Sequence, residues 1–194
     1  MSIEPFPDNR LKTVLVMISI VASLLAKPAL ADEARLTDIV ATSSSAHLLL
    51  YFRVTDCFTD EMISAIENGI NTTFTFFIGL YEVRDLQLDE DIAELKVTHS
   101  IVYDNLKKVY KVRLSERHNK MILVEDFREA KNLMSRIEGV KLTDLNTLQK
   151  GTRYEIRMMA ELDKIRLPLY LDYVLFFLSL WDFETDWYKV NFTY

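Results

Sequence analysis

Residues 152–162 read TRYEIRMMAEL, and their alternation decides the architecture. Tyr154, Ile156, Met158, Ala160 and Leu162 recur at every second position, while Arg153, Glu155, Arg157 and Glu161 fill most positions between. Successive side chains of a strand point to opposite faces, so this pattern predicts one buried face and one wetted face. That belongs to an antiparallel sheet, because parallel sheets are covered on both faces and read as continuous apolar runs. Ile70 to Arg84 repeats the theme: Phe74, Phe76, Ile78 and Leu80 alternate with Thr73, Thr75, Phe77 and Gly79, a composition rich in β-formers.

Outward from these two segments, further strands are expected. Arg35 to Ser43 reads as the first, and His47 to Val54 (HLLLYFRV) is apolar on both faces, as a central strand would be. Glu94 to Tyr103 places Val97, Ile101 and Tyr103 on one face, after a polar, acidic connection from Asp85 to Asp91. Lys108 to Ser115 (KVYKVRLS) turns Tyr110, Val112 and Leu114 inward, with Asp104-Asn105 as the hairpin turn before it. Val140 to Leu145 is a short strand.

Two helices are expected among them. Thr59-Asp60 offers an N-cap, Met62, Ile63 and Ile66 form an apolar stripe, and Gly69 sits where a C′ glycine ends a helix. Phe127, Ala130, Met134 and Ile137 fall at i, i+3, i+7 and i+10, with Gly139 closing the segment. The expected fold class is therefore α+β: an antiparallel β-sheet or sandwich with two main helices packed on it and an apolar C-terminal cap. Strand, helix, glycine, strand occurs at 47–84 and again at 108–145, a hint of duplication with no repeated residue signature.

Two apolar segments stand apart. At the N-terminus, Arg10 and Lys12 precede the 14-residue run Thr13 to Ala26 (TVLVMISIVASLLA), then Ala29-Leu30-Ala31 and the acidic Asp32-Glu33. A basic flank, a short apolar run and a small-x-small site describe a secretory signal peptide over residues 1–31, cleaved after Ala31, more than a spanning helix of about 20 residues. The alternative is a retained N-terminal anchor; no cysteine follows the run, which excludes a bacterial lipoprotein anchor. Residues 32–194 would then form one exported domain with no stable membrane span after cleavage. Near the other end, Leu167-Pro168 introduces LYLDYVLFFLSLW over 169–181. The Pro suits a first helical turn, and the segment reads as a buried cap or as a partner-binding or membrane-skimming surface. Trp181, Trp187, Tyr188, Phe192 and Tyr194 crowd the last residues of the chain, and the spacing of Trp181, Phe183, Trp187 and Val190 suits a final strand with inward aromatics. Trp181, Trp187 and Tyr188 are the candidate partner surface.

Composition narrows the function by exclusion. The formal net charge is −6 over 194 residues, and the N-terminal segment carries more bases than acids, so the remainder is more acidic still. Such a domain repels phosphate backbones. Arg153, Arg157, Lys164 and Arg166 are interleaved with Glu155, Glu161 and Asp163, a mixed solvent face, so no nucleic acid is expected as partner. One cysteine, Cys57, forbids an intramolecular disulfide; no base lies near it in sequence, and it reads as a buried inert thiol. His47, His99 and His118 lack a second ligand at metal-binding spacing. Met158 and Met159 with His99 offer soft donors for copper, but the two methionines point to opposite faces of one strand. Asp89-Glu90-Asp91 lacks the glycine and the late glutamate of a calcium loop. No nucleophile elbow, zinc-protease helix or phosphate loop is present. The expectation is no catalytic, cofactor-binding or metal-binding residue, and no cofactor.

The order of features resembles the bacterial exported proteins grouped as domain of unknown function 4390. The resemblance rests on Ile63-Ser64-Ala65-Ile66-Glu67-Asn68-Gly69-Ile70 before a Phe-rich strand, on Tyr103-Asp104-x-Leu106 followed by Tyr110-x-Val112, and on Phe127-x-x-Ala130. It continues through Leu148-x-x-Gly151-x-x-Tyr154 and Leu162-Asp163-x-x-x-Leu167-Pro168, and closes with Trp181 and Trp187. One departure is Asp186, which precedes Trp187 where relatives usually carry Ser. The resemblance implies a periplasmic or envelope protein of Gram-negative type without an established activity. In many genomes genes of that family lie beside sensor histidine kinases of the nitrogen-regulation type, so the resemblance also implies a link to envelope signalling. The expected function is thus a non-enzymatic periplasmic interaction protein whose partner is an envelope or membrane-sensor protein. The alternatives are a binder of a small hydrophobic or sugar ligand and an unrecognised hydrolase.

Overall fold

The computed structural model describes residues 33–85, 87–163 and 184–194. The expected signal peptide, the apolar segment at 169–181 and Trp181 lie outside the described residues. Nine strands and two α-helices are described: β1 (Arg35–Ser43), β2 (His47–Thr55), α1 (Asp60–Glu67), β3 (Thr72–Glu82), β4 (Glu90–Asp104), β5 (Val109–Leu114), β6 (Lys120–Val124), α2 (Phe127–Met134), β7 (Arg136–Asp144), β8 (Arg153–Leu162) and β9 (Tyr188–Thr193). They form a small sheet of order β1-β2-β7 and a large sheet of order β6-β5-β4-β3-β8-β9. Every pairing is antiparallel. No helix among the described residues is long and apolar enough to cross a membrane.

The alternation read from the sequence becomes the core. Tyr154, Ile156, Met158, Ala160 and Leu162 on β8 are all buried, as are Phe74, Phe76, Ile78 and Leu80 on β3. These inward faces meet the small sheet, where Phe52 of β2 packs edge-on against Phe76 with ring centroids 5.8 Å apart. The other strands add residues such as Leu50, Val97, Ile101, Val112 and Leu114, and the helices add Met62, Ala65 and Ile66 of α1 and Ala130 and Met134 of α2. Phe58, in the loop before α1, ties the parts together: its ring lies 5.1 Å from Phe74 and 6.2 Å from Phe127.

Helix α1 is capped at both ends as its sequence demands. The Thr59 hydroxyl accepts from the Met62 amide at 3.2 Å. At the other end Gly69 takes φ +82, its N–H donates to Ile66, and the Ile70 N–H donates to Ala65. That pair of bonds is the Schellman closure, and it needs a left-handed residue at Gly69.

Helix α2 is shorter than its periodicity suggests. It stops at Ser135, whose carbonyl accepts from the Val54 amide of β2 at 2.8 Å, and the next residues join β2 as strand β7. Ile137 is buried opposite Phe52 in that ladder. It continued the helical spacing because the inward side of α2 and that of β7 face the same core. Gly139 therefore closes no helix; it is a bulge within β7, with φ +73 between the pairs Leu50–Val140 and Tyr51–Glu138. A Cβ there would come 2.9 Å from the Tyr51 hydroxyl.

Other boundaries also differ. Strand β4 begins at Glu90, inside the expected acidic connection, because a bulge between Leu80 and Tyr81 lets β3 and β4 stay paired to the end. Strand β6 has no counterpart in the sequence reading, since of its residues only Val124 is buried and no alternation marks it. Its presence changes the apparent duplication. The chain crosses from small to large sheet through α1 but from large to small through α2, with β6 interposed. The two segments run in opposite senses and do not repeat one unit. The final strand starts at Tyr188, after Trp187, so Tyr188, Val190 and Phe192 pack inward while Trp187 is exposed.

Candidate functional site

The outer face of the large sheet gathers an aromatic and charged surface where β4, β3, β8 and β9 run side by side. Its floor is Gly79, which pairs with Glu94 on β4 and Arg157 on β8. Glycine leaves room there for the Tyr81 ring, which folds back along the strand so closely that a Cβ at position 79 would lie 2.5 Å from it and displace it. Over that ring stacks the Arg157 guanidinium, 4.1 Å from the centroid. Arg157 is in turn ion-paired with Asp89 and Glu155, and Lys189 approaches Glu155 at 3.4 Å. Burial first, then the Glu94 and Asp91 carboxylates, push the Tyr81 phenol above its ordinary pKa, against the opposing charge of Arg157. On the neighbouring row, the Lys96 ammonium lies 5.2 Å above the Phe77 ring.

Trp187 completes this surface. Thr185 fixes the chain just before it: the Thr185 hydroxyl accepts from the Ala160 amide at 3.0 Å and donates to the Asp186 carbonyl, while the Thr185 amide donates to the Ala160 carbonyl. Trp187 is left 52% exposed at the rim of a concavity of about 380 Å³ bordered by Phe77, Gly79, Tyr81, Glu94 and Lys96. Of the three residues expected to form one partner surface, the structure thus places Trp187 outward. Tyr188 turns the other way, half-buried against the core opposite Met158, and Trp181 lies outside the described residues. Trp187, just before β9, and Tyr188, its first residue, thus point to different sides of the sheet. Sequence reasoning missed Tyr81 and Arg157. A glycine inside a Phe-rich strand was the available signal of a close approach.

A larger concavity, about 670 Å³, lies between α2 and the loop after β2, with Cys57, Phe58, Asp126, Lys131 and Ser135 among its lining. Its chemistry is muted. Cys57 is 4% exposed, and burial pushes its thiol up to about 12, with Lys131 only partly opposing the shift. A thiol so placed stays protonated and is no nucleophile at neutral pH. Asp126 caps α2 through the Arg128 amide at 2.7 Å, and Lys131 lies 5.2 Å above the Phe127 ring.

Two of the histidines meet protein partners, while His118 takes a left-handed backbone after the Ser115–Arg117 turn. His99, fully buried on β4, sets Nδ1 3.0 Å from the Met134 carbonyl and Nε2 3.1 Å from a Glu116 carboxylate oxygen. A carbonyl only accepts, so Nδ1 carries a proton and donates. Burial disfavours the Glu116 charge, but the hydrogen bond and charge of His99 outweigh it and hold that carboxyl below its ordinary pKa. His47 lies 2.6 Å from Asp144 at the surface, beside Lys141 on the same carboxylate. Asp89 and Glu90 of the acidic connection are paired with Arg157 and Arg84. Met158 and Met159 are both buried, on opposite faces of β8. Among the described residues, no three His, Cys, Asp or Glu side chains converge as a metal set.

The family described as Domain of unknown function (DUF4390) matches residues 31–191. A UPF0122 protein of Bacillus thuringiensis (strain Al Hakam) is 32% identical over 85 residues, which is 44% of this chain and 72% of that protein. A UPF0122 protein of Bacillus cereus (strain AH187) is similar to the same extent, 32% over 85 residues with the same shares covered. No solved structure matches the chain.

Proposed function

The chain belongs to the DUF4390 family of domains of unknown function, and from that premise we propose a non-enzymatic interaction protein of the bacterial envelope. It is exported to the periplasm by residues 1–31 and serves envelope signalling by contacting an envelope or membrane-sensor protein. The observation that carries this reading is the exposed Trp187, pinned by Thr185 at the rim of an aromatic surface. A half-exposed tryptophan on a rigid sheet is the kind of anchor around which interfaces concentrate their binding energy. The chemistry of the remaining candidates also supports it: the Cys57 thiol is held protonated, and both His99 nitrogens are engaged.

A photo-crosslinking residue at position 187, in the native envelope, tests the reading. One reproducible protein adduct is expected from 187 and none from a probe at Asn191 on the same face. Equal labelling from both positions, or none from either, refutes it. Export is checked on the isolated protein by mass spectrometry of its N-terminus: a mature chain starting at Asp32 is expected, and a chain keeping residues 1–31 overturns that part.

A second reading has its own observation. The concavity beside Trp187 has a glycine floor, aromatic walls from Phe77 and Tyr81, and polar groups from Glu94 and Lys96, which suits a sugar or small hydrophobic ligand. A ligand that binds only the native state raises its melting temperature. Stabilisation by a glycan or lipid that vanishes in Trp187→Ala, with no protein adduct at 187, would make this the better account.

A further inference from the structure

Among the described residues the open edges of the two sheets are β6 and β9 on the large one, β1 and β7 on the small one. An edge strand offers unpaired backbone N–H and C=O groups, and proteins guard such edges with charges, bulges or proline. Strand β1 is bulged at Asp38, where φ is 53. Strand β7 carries Arg136, Glu138 and Lys141 and is bulged twice against β2. Strand β9 turns Lys189 and Asn191 outward. Strand β6 has no such guard beyond its first residue: after Lys120 it reads Met121-Ile122-Leu123-Val124, in an unbroken ladder with β5. Met121 and Leu123 are 44% and 56% exposed, both on the outer face, because Ile122 and Val124 alternate with them toward the core.

We propose that β6 is a self-pairing edge, joining two copies of this chain antiparallel about Ile122 and extending the large sheet across a twofold axis. The sequence favours that register. Centred on Ile122, the pairing sets Met121 opposite Leu123 of the second copy and Leu123 opposite its Met121, so the exposed apolar side chains cover one another. Lys120 then faces Val124 of the second copy, and no like charges are directly opposed. Of the bases flanking the strip on β5, Lys111 is already held by Asp104 at 2.7 Å, and Arg113 neighbours Met121 within its own chain. The contact is isologous: it uses β6 of both copies and closes as a dimer. Trp187 lies beside β9, at the opposite end of the sheet, so self-pairing stands independently of the partner reading above.

Sedimentation velocity of the full chain in a non-ionic detergent, over a wide concentration range, tests the pairing. The wild type is expected to pass from one-chain to two-chain mass as concentration rises. Met121→Lys with Leu123→Lys opposes like charges in this register and should lose the two-chain species. Met121→Lys with Leu123→Glu opposes unlike charges and should restore it. A wild type that stays at one-chain mass overturns the proposal, and so do two double variants that behave alike. Circular dichroism establishes that each variant is folded. Should either fail to fold, Ile122→Cys decides: an interchain disulfide on oxidation, absent in Asn191→Cys, is expected, and equal crosslinking of the two refutes the pairing.

Discussion

On the inner face of the large sheet, His99 of β4 binds two other elements at once: the last carbonyl of α2 through Nδ1, and Glu116, in the short turn after β5, through Nε2. On the outer face, Arg157 of β8 meets Asp89, Glu155 and the Tyr81 ring in the open, with about a quarter of its side chain exposed (26%). Both clusters join carboxylate to base: Glu116 to His99 on the inner face, Asp89 and Glu155 to Arg157 on the outer. They differ in what surrounds them. Water can replace the partners of Arg157, whereas nothing replaces those of His99, which also abuts the Phe76 ring at 4.8 Å. The inner cluster therefore holds the fold, and the outer one shapes a surface.

The comparison breaks if the two clusters turn out equally costly to remove. His99→Ala leaves the Glu116 carboxylate largely buried and unpaired, and should destabilise the protein by about 3–5 kcal/mol in urea unfolding; a loss under about 1 kcal/mol would place the inner cluster with ordinary surface pairs. Acid sharpens the point. Glu116 is held below its ordinary value of 4.5, so its contribution is present above that pH and lost as pH falls through the lower folded value. Wild-type stability should decline as pH falls from 4.5 through the lower folded value, and Glu116→Gln should flatten this part of the profile when unfolding is followed against pH.

On the outer face the expected effects are smaller. Arg157→Ala should change stability by about 1 kcal/mol or less, and the change should shrink in high salt. Gly79→Ala should be the mildest in stability, because the atoms it meets are the far end of the Tyr81 side chain, which can swing away. It should nevertheless displace Tyr81 from its stack with Arg157 and reduce crosslinking from position 187. An unchanged Tyr81 signal in near-ultraviolet circular dichroism would show that the ring does not depend on that glycine.

How much of this was legible beforehand depends on where each signal lives. Alternation at 154–162 and 74–80 is a local record of burial, and both strands emerge with those residues inward. Thr59 and Gly69 are local capping signals, and α1 is bounded by them. Ile137 misled because helix and strand periods coincide over one step when both elements face the same core. Strand β6 left no pattern because its outer residues are apolar as well. The outer surface was legible only at Trp187. Tyr81, Glu94 and Arg157 converge there through ladders between distant segments, and such registers leave no trace in one chain read end to end. Glu116 was silent for the same reason: it sits in a turn, and its partner His99 lies on β4, 17 residues away.

The placement of β3 has a kinetic consequence. This strand lies inside the large sheet, yet one of its neighbours, β8, arrives late: Thr75 hydrogen-bonds Asp163, 88 residues further along the chain. Closing so long a loop costs entropy before the pairing repays it, and folds dominated by such contacts assemble slowly. During synthesis, β3 would wait with its β8 side unpaired until nearly the whole sequence had emerged. A chain that delays its own closure in this way stays threadable for longer, and it needs protection from sticking for the same interval.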